Sequence, residues 1–402
     1  SAPEGWTVTA SIDNSNPTTL SVTPPNQDGA EGIITLQVNK GVYWAIDQIK
    51  VRSKKVITSW YQEFLAGAEI VVNDVTIKKG SADDKVLINK EEVDLKVSLI
   101  SDDNAEIAED GLYFIGAGLN VTYKNSQNKN KVLINDSPTG EKPVVTCTNT
   151  ITLNGTSLIC KNVALKLNEN ATYRFLTINT NNAPYVAFDG CNLEVPSTAT
   201  QNAFCYASTA VAINSFTLHK SKIKIDKSTE YNIISVGKDN FVNFNSISVE
   251  NTIFYGNNAS TFKLFGVNNG NTTNAGIGSL VLRNTTFLNM HYAGYGIVNG
   301  DISTMIVKNN IIYADNNNNN VTVFRKRGNS SASLQATDGE VADNIGYIIG
   351  DFYLNLWQGD TPPLENAEKI QKLDASPFES LDKSTGTYVL KPEYQGYGAT
   401  IE

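Results

Sequence analysis

The segment Leu280–Asn289, "LVLRNTTFLN", alternates apolar and polar residues, is interrupted by Asn-Thr, and resumes with apolar residues in the opposite parity. The same form recurs as "LICKNVALKL" from Leu158, "VAFDGCNLEV" from Val186 and "FTLHKSKIKI" from Phe216. It returns as "ISVENTIFYG" from Ile247 and "MIVKNNIIYA" from Met305. Alternate residues of a strand face one side, so the parity change marks one extra residue in a bend. Gly, then Asn, bends most cheaply into the left-handed conformation. The fifth position holds Asn162, Gly190, Lys220, Asn251, Asn284 and Asn309, with Lys220 the misfit. Strand, corner, strand is the predicted unit.

A third apolar stretch follows a polar loop in each unit: "YRFLTI" from Tyr173, "YNIISV" from Tyr231, "TFKLFGV" from Thr261, "YGIVNG" from Tyr295 and "VTVFRK" from Val321. Corner residues recur 28, 30, 31, 33 and 25 positions apart. Three short strands per repeat predict an all-β fold, a right-handed parallel β-helix whose coils bury their apolar faces only by stacking. The corner asparagines are expected to superpose and to hydrogen-bond as a ladder. A propeller blade is longer, with four strands, and a sandwich needs no constant template.

The front is less regular. Residues 1–55 carry short alternating strands between Pro, Gly and Asp and read as an Ig-like β module, possibly incomplete. Residues 56–140 read as an N-terminal cap or irregular early coils, and 141–402 as the β-helix with a C-terminal cap. No apolar run is long enough for a spanning helix, and "SAPEGWTVTA" reads as a mature or trimmed beginning.

A net charge of −9 excludes nucleic acid as the expected partner. It also disfavours a long polyanionic glycan unless a cation or a local basic patch intervenes. Cys147, Cys160, Cys191 and Cys205 fit no zinc spacing, and only two histidines could assist them. They read as buried thiols or as one or two disulfides of an exported protein, with the connectivity open.

The Asn-cornered coils, the strand-rich front and the "PF…GTYVLKPEYQGYGA" ending resemble the pectate-lyase-like β-helix surface lipoproteins of Bacteroidetes polysaccharide-utilisation systems. That resemblance implies export to the outer-membrane cell surface, with membrane contact only through a lipid anchor that this sequence does not contain. It also implies a polysaccharide or oligosaccharide partner.

Uronate lyases on such a fold need a cation, usually Ca²⁺, and a basic residue; glycosidases need two spaced carboxyls. The usual signatures of either are absent. The position before the corner reads Lys161, Asp189, His219, Glu250, Arg283 and Lys308, a pattern that outward alternation on an exposed sheet also explains. Asp83-Asp84 and Asp102-Asp103 read as solvated turns. No catalytic or metal residue is assigned, and no cofactor is expected unless the protein is a lyase that takes Ca²⁺.

Carbohydrate-binding candidates are the aromatics Tyr292, Tyr295, Tyr353 and Trp357, with Arg325, Arg327 and His291. Trp357 equally suits sealing the end of the stack. The expected function is a non-catalytic, polysaccharide-binding surface protein; a uronate-active lyase and an adhesin or stalk are the alternatives.

Overall fold

The computed structural model describes all residues except 12–18, 28, 54–55, 125–129, 154–156, 170, 180–183, 208–210, 228–230, 237–241, 257–261, 268–274, 290–301, 316–320, 325–334, 358–360 and 402. The chain divides into two compact units, Ser1–Thr58 and Ser59–Glu402.

In the first unit Thr7–Ser11 pairs antiparallel with Thr19–Thr23, and Glu31–Lys40 with Tyr43–Arg52. These two pairs make an antiparallel β module.

The second unit is built from parallel sheets of ten, eleven and five strands among the described residues. The chain visits them in rotation. Leu158–Lys161 lies in the ten-stranded sheet, Ala164–Leu167 in the eleven-stranded one and Leu176–Ile178 in the five-stranded one. Tyr185–Asp189 then returns to the first. Each strand pairs with the equivalent strand one repeat later, so Leu158 meets Val186, Val186 meets Phe216, and Phe216 meets Ile247. This cyclic order is compatible with a parallel β-helix. Inward residues of all three sheets form one continuous core from Ile107 to Ile370. Among the described residues no helix is long and apolar enough to cross a membrane.

All six expected corner residues have positive φ: Asn162 (53°), Gly190 (65°), Lys220 (50°), Asn251 (48°), Asn284 (49°) and Asn309 (56°). They are superposed. The backbone N–H of each of Asn162, Gly190, Lys220, Asn251 and Asn284 donates to the carbonyl just before the next corner. Asp343 (φ 51°) makes a seventh corner that the template missed.

The hydrogen-bonded ladder, however, is formed by the following residue, not by the corner asparagine. After the left-handed turn the next side chain points into the stack, and there stand Ser221, Thr252, Thr285, Asn310 and Asn344, all buried. Asn310 Nδ2 donates to Leu282 O and Asn344 Oδ1, both at 2.8 Å, while the Thr285 N–H donates to Asn310 Oδ1 at 3.0 Å. Asn344 Nδ2 donates to the carbonyls of Val307 and Ala342. The corner asparagines face outward and hold the chain end instead: Asn251 Nδ2 donates to Thr400 O (2.8 Å), and the Thr400 N–H donates to Asn251 Oδ1 (2.6 Å).

Two elements cover the flanks. Helix Trp60–Leu65 is capped by Ser59 and tied to Asp136, whose Oδ1 accepts from the Tyr61 N–H and the Ser59 hydroxyl. Together with an antiparallel sheet of Ile70–Val72, Val75–Lys79, Lys85–Ile88 and Glu91–Asp94, it packs on the outside of the ten-stranded sheet. Its apolar side meets Leu112, Phe114, Val132, Ile134, Ile159 and Ala187. Coils therefore begin at Lys96, and the strands Gly111–Ile115 and Lys131–Asn135 are buried on both faces. The chain end lies along the eleven-stranded sheet. There Phe378, Tyr388, Leu390, Tyr394 and Tyr397 cover Ile253, Leu288, Ile311 and Ile345. Closure of the core falls to Phe352, Leu354, Leu356, Trp357, Leu364 and Ile370. The four cysteines are free and buried, and burial pushes the Cys147 and Cys191 thiols up to about 12.

Lys220 is exposed and bends without a compensating side-chain role, so Lys220→Asn or Lys220→Gly should raise stability by about 0.5–1 kcal/mol. Asn310→Leu leaves the Thr285 N–H and the Leu282 carbonyl without partners and should cost roughly 2–4 kcal/mol. Thermal unfolding of the full chain checks both; a destabilised Lys220→Gly protein would contradict the strain argument.

Candidate functional site

Past the covered rungs, two outward columns of the ten-stranded sheet carry hydroxyl-bearing and charged residues, and the column between them runs through Thr217 and Ser248 to apolar Val281 and Ile306. Three columns run side by side at about 4.8 Å per rung. One carries Ser246, Ser279 and Thr304 in register. The next carries Thr217, Ser248, Val281 and Ile306. The third is the pre-corner column Lys161, Asp189, His219, Glu250, Arg283 and Lys308. Their inward neighbours Ile247, Leu280 and Met305 are fully buried, which fixes the direction of the columns.

The strip has two defined ends. At one, the turn at Asn73 sits on the sheet, with Asn73 Nδ2 donating to Phe188 O (3.0 Å) and Thr217 Oγ1 (2.8 Å), while Lys161 Nζ donates to Val71 O (3.0 Å). At the other lies a cleft of about 450 Å³ between Ala336–Ala342 and Leu364–Glu368, lined by Asp338, Glu340, Glu365 and Glu368.

Within the charged column, neighbours pair along the stack. Lys161 bonds Asp189, and Lys308 Nζ donates to Glu340 Oε1 at 2.6 Å. Between them runs a chain in which Ser248 Oγ donates to Glu250 Oε1 (2.8 Å) and lies 2.7 Å from His219 Nε2. Because the hydroxyl spends its one proton on Glu250, His219 Nε2 carries the hydrogen and donates to Ser248. Arg283 Nε donates to Glu250 Oε2 at 2.9 Å. Serine thus sits between the imidazole and the carboxylate, the reverse of the order in which histidine relays a nucleophile's proton.

Burial lowers the His219 pKa despite Glu250, Asp189 and Asp74, with Lys220 adding to the fall. Burial pushes Glu250 up, but hydrogen bonds from Ser248 and Arg283 and the charges of His219 and Arg283 hold it below the usual range. A general acid needs the opposite shift.

Of the residues singled out from the sequence, Tyr353 is 46% exposed near the last coil, whereas Trp357 is 7% exposed and packs in the core. Its partner in register is Phe324. A ring so placed seals the stack and offers no face to a sugar. His291, Tyr292, Tyr295, Arg325 and Arg327 lie outside the described residues. The aspartate pairs occupy turns, where Asp83 pairs with Lys79 and Asp103 accepts from the Asn120 N–H. Among the described residues no group of three or more His, Cys, Asp or Glu could hold a metal ion.

The hydroxyl column was missed because Ser and Thr at outward strand positions look ordinary. The usable signal was the change in that column from Tyr185 to Ser215, Ser246, Ser279 and Thr304. No protein-family model, curated protein or solved structure matches the chain.

The charge pattern has a pH signature. An imidazole with a lowered folded pKa is protonated first in the unfolded chain, near 6.5, so stability present above that value is lost as pH falls below it. Glu250 adds stability present above its ordinary 4.5 and lost as pH falls below it. The melting temperature should therefore drop between pH 7 and 5, and again below 4.5. His219→Gln should flatten only the first step, as melting curves across that pH range would show.

Proposed function

We propose that this chain is a non-catalytic, polysaccharide-binding surface protein. In this reading it is a right-handed, three-sided parallel β-helix preceded by an Ig-like module, and its ligand lies along the polar strip of the ten-stranded sheet. The observation that supports this is the register of Ser246, Ser279 and Thr304 beside Glu250, Arg283 and Lys308. It is a flat, rigid row of donors and acceptors repeating at strand spacing. An extended glycan presents hydroxyls at intervals of similar length, so several sugar units could bond to successive rungs at once. Each contact is weak, and a row of them acts through effective concentration.

The right-handed winding is supported by the strong preference of parallel strand crossovers for that hand. Surface location and lipid anchoring are carried by the resemblance of the coils and the chain ending. Ser246, Ser279, Thr304, Glu250 and Lys308 are half-buried and Arg283 is exposed, and none of them belongs to the apolar clusters formed with the covering module or the chain end. The tie of Glu250 to Ser248 and Arg283 makes this column a fixed recognition pattern rather than a proton-transfer pair.

Affinity electrophoresis against a panel of neutral and acidic polysaccharides tests the reading. Ser279→Trp places a bulky ring on the strip without touching the core and should reduce retention at least about tenfold, equivalent to the loss of 1.4 kcal/mol. Trp357→Ala should instead destabilise the fold by roughly 3–5 kcal/mol. Retention unchanged in Ser279→Trp would move the ligand off the strip. Release of unsaturated uronides in the presence of Ca²⁺ would replace this reading with a lyase.

A further inference from the structure

The eleven-stranded sheet has an opening of its own, at the margin where the chain end stops covering it. One outward column of this sheet reads Asn192, Lys222, Ile253, Thr286 and Ile311 in register. The apolar side of the chain end packs on Ile253 and Ile311, and Lys222 is the first polar rung beyond that cover. A cleft of about 280 Å³ lies here. The sheet contributes Lys222 and Ile253 to it, and the chain end contributes strand Thr387–Leu390 and residues 399–401. Its walls are tied in place. The Tyr388 hydroxyl donates to Ala399 O (2.5 Å), and the Ala399 N–H donates to Thr286 Oγ1 (3.1 Å).

Lys222 brings an uncompensated positive charge to this cleft. Lys224, on the same face of the same strand, pairs with Glu194 and Asp226. Lys222 has no ion-pair partner among the described residues. A second ammonium stands beside it: Lys142 Nζ donates to Asn192 Oδ1 at 3.1 Å, and Asn192 is the register partner of Lys222. Burial lowers the Lys142 pKa, and the charge of Lys222 adds to the fall. On a chain of net charge −9, two neighbouring cations without a carboxylate call for an anion.

The rest of the lining narrows the anion. One ammonium is a point charge that a monoanion satisfies, whereas a phosphate brings up to two charges and three acceptor oxygens. The Thr387 hydroxyl accepts from Thr385 Oγ1 at 3.1 Å and keeps its own proton to give. Ile253, Leu390, Ala399 and Ile401 offer apolar side chains. A sugar bears hydroxyls on every side and finds no partners there, but an alkyl chain gains by leaving water. The volume lies near the lower end for small-molecule sites.

We propose that this cleft binds a monocarboxylate with an apolar body, of the medium-chain fatty acid type, its carboxylate at Lys222 and its alkyl chain over Ile253 toward Leu390 and Ile401. The site shares no residue with the polar strip, so it stands or falls apart from the polysaccharide reading.

Calorimetric titration of the full chain with octanoate, butanoate, octylammonium and D-glucuronate tests it. Octanoate should bind saturably and at least about tenfold more tightly than the other three. Lys222→Met should weaken octanoate at least about fivefold with the melting temperature unchanged, and Lys222→Arg should hold the affinity within about threefold. Thr387→Trp, at the exposed rim, should block the cleft and weaken octanoate at least about tenfold, while Ser279→Trp should leave it unmoved. Absence of saturable octanoate binding, or equal binding of octylammonium, overturns the site. So does an octanoate affinity unchanged in either Lys222→Met or Thr387→Trp. Glucuronate or butanoate bound as tightly as octanoate would remove the apolar body from the assignment and overturn it equally.

Discussion

The stack depends on what happens at one residue per coil. A strand that must leave one sheet and enter the next within two residues has to place one of them in the left-handed region, and then return the following side chain to the interior. That second residue sits where the two sheets part and where neighbouring carbonyls converge; Val163 and Cys191 occupy it in the early coils, and small polar residues occupy it from Ser221 onward. Ser221, Thr252, Thr285, Asn310 and Asn344 fill this position, each bonded to backbone groups of its own or an adjacent rung. Because Asn310 reaches Asn344 on one side and Leu282 on the other, rungs cannot slip singly. Correct register of the outward columns is a consequence of this interior lock.

With register fixed, the outward composition of each sheet determines what can cover it. The early rungs of the ten-stranded sheet present Leu112, Phe114, Val132 and Ile134, and the module around Phe64 buries them. The late rungs of the eleven-stranded sheet present Ile253, Leu288 and Ile311, and the chain end buries those. Burial of apolar area decides both attachments. Where Ser, Thr and charged groups flank a single apolar pair, Val281 and Ile306, that gain is small and the sheet stays open. The polar strip is therefore the part of the first sheet that neither covering element has reason to occupy.

The corners were legible in the sequence because left-handed backbone is nearly confined to Gly and Asn, and that restriction survives as a visible pattern. Lys220 escaped the rule yet adopts the same conformation, since its neighbours leave it no alternative. Asp343 was overlooked for the same chemical reason, as its coil lacks both marker residues. The inward ladder was not legible, because Ser, Thr and Asn after a corner look like ordinary turn residues. Coils before residue 141 were hidden for a different reason. "GLYFI" and "KVLIN" are buried on both faces, so alternation disappears. At the candidate site, aromatic content misdirected attention. Trp357 fills the last coil, and the row formed by Ser246, Ser279 and Thr304 becomes visible only when register is known.

The electrostatics of the strip follow from the same geometry. Residues stacked in a column at strand spacing must either repel or pair; Lys161 pairs with Asp189 and Glu250 with Arg283, while Lys308, next to Arg283, turns to Glu340 and Asp343. Arg283 and Ser248 together hold Glu250 ionised, and burial keeps His219 neutral above its lowered pKa. A site prepared for proton transfer moves its groups toward the working pH, whereas both of these are moved away from neutrality. The charge on each rung is thereby constant through the neutral range: neutral at His219, negative at Glu250, positive at Arg283 and Lys308. Such constancy has little use in acid–base chemistry. It gives a bound polymer one invariant pattern to match, held in place by a core that cannot shift a rung without breaking the ladder beneath it.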